Sequence, residues 1–405
     1  MVEITKRFLM APLKLPHLSF RRKPESNNFK KFWIPTFVGM TFLFATAVHA
    51  KAKVATHPKV DTSFVHRKWV VKLKQNSLMN RRPFQFATPV AEGDTLYVGV
   101  ESGLFYAVSI SRGKKIWTYQ AQGGIEAQAT LHDQTVFVPD TKGNVYALDK
   151  VKGKVLWVAN LDGEIMSAPL YHDNKLYVVT LSKELAILDA DKGTVLWQIR
   201  QRTKDLGFTV RKSANPVYAG GNILVGYSDG TLVAHDPKDG RVKWGKQFGD
   251  RSKEFHDVDA TLLVAGQVAY VTSADNHFFA LNPNNGETLW VAPMGNVNNA
   301  VLYKEALYVT ANGIVYSLKP DSGEIVWEQN LNVAEISSPA VYGDWLTVAA
   351  TKGKTYFLDR NKGDILYSWF VKGGSYSDPI LVENRVFLLS NASRLYSFEF
   401  NLTPP

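Results

Sequence analysis

The stretch nearest to metal chemistry is Asp189-Ala-Asp191-Lys-Gly193, which has the acid–x–acid spacing that opens a calcium loop. Its glycine falls one position early, and Arg200 stands where a terminal bidentate glutamate would close the oxygen shell. The segment reads better as a tight turn, because a short acid can accept from the backbone two residues on. The nine histidines, His132, His172, His235 and His277 among them, fall at no metal-ligand spacing. Cysteine is absent, which excludes a thiol nucleophile, a Cys-ligated zinc or iron–sulfur site, a disulfide and a lipid carried on cysteine. The chain contains no GxGxxG, no GxxxxGK[ST], no HExxH and no GxSxG. Carboxylates are plentiful, but they lie at turns. The residues therefore predict no catalytic group, no metal and no cofactor.

What positions these acids is a repeat. A glycine is followed four residues later by an aromatic at Gly113/Trp117, Gly153/Trp157, Gly193/Trp197, Gly240/Trp244, Gly286/Trp290, Gly323/Trp327 and Gly363/Tyr367. Upstream of each glycine lies an alternating apolar strand such as NVYALD at 144–149 or ELAILD at 184–189. Upstream again comes a second strand such as TLYVGV at 95–100, and before it a small residue with Pro or Thr, as in Thr88-Pro89 and Ser338-Pro339. The steps between successive aromatics from Trp117 are 40, 40, 47, 46, 37 and 40 residues. That period, filled with strands and Gly/Asn/Asp turns, is a propeller blade of four short strands. Asp149, Asp189, Asp236 and Asp359, with Asn282 and Ser109 standing in, precede the glycine by four and should close the turn from third to fourth strand. The aromatic should dock between neighbouring blades, burying about 150–250 Å² apiece.

The C-terminal stretch has three strands and no fourth with an aromatic, while His66–Lys74 (HRKWVVKLK) carries Trp69 at the right place. The N-terminal strand should thus complete the last blade, leaving few free sheet edges. The expected fold is all-β: an eight-bladed propeller of four-stranded antiparallel blades. Its docking aromatics are Trp69, Trp117, Trp157, Trp197, Trp244, Trp290, Trp327 and Tyr367. Seven blades with a divergent segment is the alternative count.

The net charge of +10 invites a polyanion partner until it is located. Residues 1–50 hold eight of the basic side chains and two of the acidic ones, so 39 basic face 35 acidic in the rest, and nucleic acid is not expected. Lys30-Lys31, an uncharged run over 32–49 and Val48-His49-Ala50 read as a secretory signal cut after Ala50; an uncleaved anchor is the rival. Residues 30–41 (KKFWIPTFVGMT) resemble a translated intergenic repeat, which would move the start of translation downstream. The domain reading is then extension and signal over 1–50, linker over 51–64, propeller over 65–400 and a tail over 401–405.

The two long steps are consecutive. Their extra residues fall at 200–212 (RQRTKDLGFTVRK) and 246–259 (KQFGDRSKEFHDVD), each after an aromatic strand and before the next blade, so both should emerge on one rim. Insertions on one face of a repeat protein mark its binding face. The first holds Arg200, Arg202, Lys204, Arg211 and Lys212 against Asp205, and the second holds Asp250, Glu254, Asp257 and Asp259. Basic beside acidic, with Leu206, Phe208 and Phe255 between, is the composition of a protein-docking rim; solvated, self-balancing loop charge is the bland alternative.

The repeats resemble the PQQ-type propeller repeat, and Ala147-Leu148-Asp149…Gly153…Trp157 matches its core. Within that superfamily the chain is similar, over about 60–400, to the BamB family of outer-membrane protein assembly factors, most specifically around 211–216, 257–261 and 282–290. The resemblance implies a non-enzymatic periplasmic scaffold of the Bam complex. Its partners would be the POTRA region of BamA, other Bam subunits and unfolded outer-membrane proteins, with peripheral association at the outer membrane. It also implies partner-binding residues: an apolar-x-apolar-Arg segment falling on Phe208, Val210 and Arg211, and a D-V-D motif falling on Asp257 and Asp259. The family usually shows Leu where Phe208 and Val210 stand, and it is usually tethered through a cysteine that this sequence lacks. A PQQ- and calcium-dependent quinoprotein dehydrogenase, or a ligand-binding propeller module, is the alternative on the same fold.

Overall fold

A computed structural model of the chain describes residues 65–73, 84–200, 214–227, 229–248, 262–273 and 277–400. These residues form strands and turns with no helix, and the strands, numbered β1–β32 in chain order, fall within the unit His57–Pro405. They make eight four-stranded antiparallel sheets. Blades 1 to 7 run over 90–120, 130–160, 170–200, 217–247, 263–292, 301–330 and 340–370. Blade 8 takes its first three strands from 380–400 and its fourth from β1 (Val65–Lys72). The eight-bladed architecture and its closure by the N-terminal strand are as the repeat predicts.

Each blade repeats one physical plan. The first strand is three residues long and half-buried, and it lies beside the first strands of its neighbours. The second and third strands are buried almost throughout: Leu96, Val98, Phe105 and Ala107 are each at most 1% exposed. The sequence suggests alternation in the third strands, but both of their faces are buried, because each sheet is covered by a sheet on either side. The core consequently lies between blades. Phe137, Val145 and Ala147 of blade 2, for example, pack with Leu176, Val178 and Leu188 of blade 3. The clearest period of two is in fourth strands such as KIWTYQ at Lys115–Gln120, where Trp117 and Tyr119 turn to one face and their more exposed neighbours to the other. Expected strand ends shift by a residue or two, with β1 ending at Lys72 rather than Lys74.

The predicted turns form as their chemistry requires. Asp149 Oδ1 accepts from the amides of Val151 and Lys152 at 3.0 and 2.6 Å, and Gly153 N donates to Asp149 O at 2.8 Å. Asp189, Asp236, Asn282 and Asp359 repeat the arrangement. In the calcium-like segment Asp189 Oδ1 is thus occupied by backbone amides, while Asp191 accepts from Asn174 Nδ2 at 2.9 Å.

The aromatics dock between blades, each on the blade that follows. Trp117 lies against Gly153, where an added Cβ would sit 2.5 Å from its ring, and its Nε1 donates to Lys150 O at 2.9 Å. Trp69, Trp157 and Trp290 make the same pair of contacts on blades 1, 3 and 6. Trp327 lies on Gly363, and Trp197 and Trp244 lie on Gly240 and Gly286. The Nε1 atoms of Trp197 and Trp244 are buried without a hydrogen-bond partner. Tyr367 has no glycine platform, because β32 (Arg394–Phe400) and β1 are not joined by a turn; it packs on Phe357 and Trp369 in the cluster shared by blades 7 and 8.

At the seam, β1 pairs with β32 from Val65↔Phe400 to Lys72↔Arg394. Glu399 receives Lys68 Nζ at 2.8 Å and Arg385 Nε at 3.1 Å, and the Lys68 hydrogen bond leads the effects that hold its carboxyl below the usual range. Arg385 also reaches Ile110 O on blade 1 at 3.2 Å.

Candidate functional site

The antiparallel order gives the ring two rims. On one, first strands turn into second and third into fourth; on the other, second strands turn into third and the fourth passes to the next blade. Both long connections belong to the second rim. One leaves the fourth strand of blade 3 at Arg200 and enters blade 4 at Val217; the other leaves blade 4 at Gln247 and enters blade 5 at Leu263. Blade 4 therefore stands between them. The residues singled out in these connections, Phe208, Val210, Arg211, Asp257 and Asp259, lie outside the described residues.

The frame that holds the connections is described, and its charges are satisfied internally. Arg200 Nη2 donates to Asp162 Oδ2 at 2.9 Å and to Glu184 Oε2 at 3.3 Å. Glu184 is buried, so its carboxylate depends on that guanidinium. The sequence groups Arg200 with the free basic residues of the loop; the structure places it at the end of a strand, committed to the chain's own acids. On blade 4, Asp229 accepts from Thr231 N at 3.0 Å and has Lys183 Nζ at 3.9 Å. Gln247 Nε2 donates to the carbonyls of Asp229 and Phe248 at 2.9 and 3.1 Å, and Phe248 packs on Phe279 with ring centres 4.8 Å apart. Lys246 bonds Gly286 O at 3.0 Å, and burial lowers its pKa. Lys246 and Gln247 are thus strand residues rather than loop residues, and the second connection begins at Phe248. Such a frame fixes where the two connections start and end and leaves recognition to the connections. Among the described residues no group of three or more His, Asp or Glu could hold a metal.

One side chain that the sequence leaves without a role stands out here. His235 occupies, in blade 4, the column filled by Leu148, Leu188, Leu281, Leu318 and Leu358 elsewhere. It is fully buried, with Nδ1 2.9 Å from Gly240 O and Nε2 3.3 Å from Tyr227 Oη. Aligning the repeats column by column would have found it.

The sequence model of one family, described as "Outer membrane protein assembly factor BamB", matches residues 66–140, 120–329 and 311–401, which is the whole propeller. The chain belongs to the BamB family. A BamB-family relative from Legionella pneumophila (strain Paris), "Outer membrane protein assembly factor BamB", is 27% identical over 193 residues, covering 46% of this chain and 50% of the relative. The chain spans about half the length of the curated BamB relatives it matches. Among solved structures, BamB from Moraxella catarrhalis superposes with a TM-score of 0.72 at 20% identity, covering 83% of this chain and 100% of that one. A quinohemoprotein alcohol dehydrogenase from Comamonas testosteroni gives 0.67 at 14%, covering 85% and 78%. At such identities both likenesses show the propeller fold alone, so it is the family match that separates BamB from the quinoproteins.

Proposed function

We propose that the chain is a non-enzymatic scaffold of the outer-membrane β-barrel assembly machinery, held at the periplasmic face of the outer membrane. It docks on the POTRA region of BamA through the two long connections around blade 4. The observation that carries this is the BamB-family match across the whole propeller. The two connections add to it, because they flank one blade on one rim while their described frame is internally neutralised. Phe208 and Val210 would fill an apolar groove on the partner, Arg211 would make a charge-assisted hydrogen bond, and Asp257 and Asp259 would steady Arg211 or meet partner lysines. The quinoprotein alternative has only the shared fold in its favour.

The test is co-purification from detergent-solubilised envelope. Arg211→Glu, and separately Asp257→Lys with Asp259→Lys, should abolish retention of BamA with an unchanged thermal midpoint. Undiminished retention would remove these residues from the interface, and wild-type chain that retains no Bam subunit would remove the scaffold reading itself.

A further inference from the structure

Charge is unevenly spread around the ring. On blades 1 and 2 the outer turn and fourth strand carry Arg112, Lys114, Lys115, Lys152 and Lys154, all exposed. The acids among them are both committed to the turns: Asp149 to its own, and Asp94 to Ser109 and Ser111 beside Arg112. The adjoining edge of blade 8 adds Arg67, Lys68 and Lys72 from β1, with Lys68 bound to Glu399. Four blades on, across the ring, blades 5 and 6 carry Glu287, Asp321, Glu324 and Glu328 on the same elements, and Lys319 is bound to Glu324 at 2.6 Å. Exposed aliphatic side chains do not follow this split. Leu156 on blade 2 and Val326 on blade 6 occupy the same position before the docking tryptophan, and each is 56% exposed. Blades 1, 3 and 4 also set exposed aliphatic side chains beside cations (Ile116, Leu196 and Val242), but on blade 4 Arg241 and Lys243 are bound to Asp239 and Asp236, and blade 2 exposes the larger apolar group (Val151, Leu156, Val158). Lys114, Lys152 and Lys154 make no ion pair with a described residue.

We propose that the outer edge of blades 1 and 2 rests on an anionic phospholipid surface. The lysines and Arg112 meet headgroup phosphates, and Val151, Leu156 and Val158 enter the headgroup boundary. Lysine clusters interleaved with aliphatics on a convex edge suit a diffuse anionic plane, where each cation contributes separately and its stem lies along the apolar zone. Protein hot spots instead concentrate Trp, Tyr and Arg in pockets and deplete Lys. This surface lies apart from the rim of the two long connections, so it goes beyond BamA docking and stands without it.

The test uses the full chain with a single cysteine at Leu156→Cys or, as the control, Val326→Cys. Because the sequence has no other cysteine, an environment-sensitive fluorophore reports one position. With vesicles of phosphatidylglycerol and phosphatidylethanolamine, the label at 156 should shift to the blue and brighten while the label at 326 does not. The response should disappear on phosphatidylcholine vesicles and at high salt, where screening shortens to about 3–4 Å. The triple variant Lys114→Glu/Lys152→Glu/Lys154→Glu should weaken the 156 response about a hundredfold or more in lipid concentration. Because the readout is local, vesicle binding by the basic N-terminal residues cannot imitate it. Equal responses at 156 and 326, a silent 156, or a 156 response that survives charge reversal would overturn the proposal. So would crosslinking from 156 to an envelope protein with the label silent on vesicles.

Discussion

The glycine of each repeat answers two demands at once. Its φ lies in the left-handed region, 66° at Gly153, and its missing Cβ leaves room for the tryptophan of the preceding blade. Gly93 separates the two demands: its φ is 54°, yet nothing lies within 4 Å of an added Cβ. Gly93→Ala should therefore cost about 1–2 kcal/mol from the backbone alone. Gly153→Ala should cost about 2–5 kcal/mol, because overpacking against Trp117 is added. Urea unfolding of the two variants measures the difference, and equal costs would show that the tryptophan does not constrain the site. The sequence displays Gly153 with Trp157, four residues apart, as one motif. The physical pair is Gly153 with Trp117, one blade back, and a regular period hides which copy of a motif meets which. The partner-binding residues rest on motif resemblance, and the described frame commits Arg200 to Asp162 and Glu184 instead.

At the scale of the strand, β16 (Thr231–His235) differs from its counterparts by ending in histidine where blades 1–3 and 5–7 place an aliphatic residue and blade 8 places Phe398. Gly240 O can only accept, so Nδ1 carries a proton, and in the neutral ring Nε2 is left to accept from Tyr227 Oη. Burial pushes its pKa below the ordinary 6.5, with the Gly240 hydrogen bond opposing. The unfolded chain thus takes up a proton near 6.5 that the folded chain refuses until lower pH. Stability should fall as pH drops below about 6.5, by at most about 1.4 kcal/mol per unit, until the folded value is reached. His235→Leu should remove that slope. At pH 8 it leaves the Tyr227 hydroxyl unpaired at a cost of about 1–3 kcal/mol, so the variant should be the weaker one there and recover ground by pH 5. Parallel pH profiles for the two proteins would mean that His235 titrates alike in both states. The histidine's column was readable from the repeat. That the column is closed on both faces was not, because alternation in the sequence is equally consistent with a strand half exposed to water.

For the whole molecule, closure is what turns eight similar sheets into one body. The count of eight and the return of the first strand were legible because a missing aromatic strand at one end matched a surplus one at the other. The antipodal split of charge was not, since a near-neutral total conceals which blades face each other until the count is fixed. Closure also concentrates risk at one seam. β1 supplies the fourth strand of blade 8, the Trp69 that covers Gly113 of blade 1, and the lysine that meets Glu399. Deleting residues 65–72 would leave blades 2 to 7 with every internal hydrogen bond, yet open the edge of β32 along its whole length. An unpaired edge reading RLYSFEF, with Tyr396 and Phe398 newly uncovered, is a template for a second chain. The truncated protein should therefore self-associate on light scattering and melt at a lower temperature. A synthetic peptide of residues 65–72 added during refolding should restore the monomer, because the register from Val65↔Phe400 to Lys72↔Arg394 is carried by that strand alone. A truncated chain that stays monomeric with an unchanged midpoint would show that seven blades and a three-stranded sheet close without it.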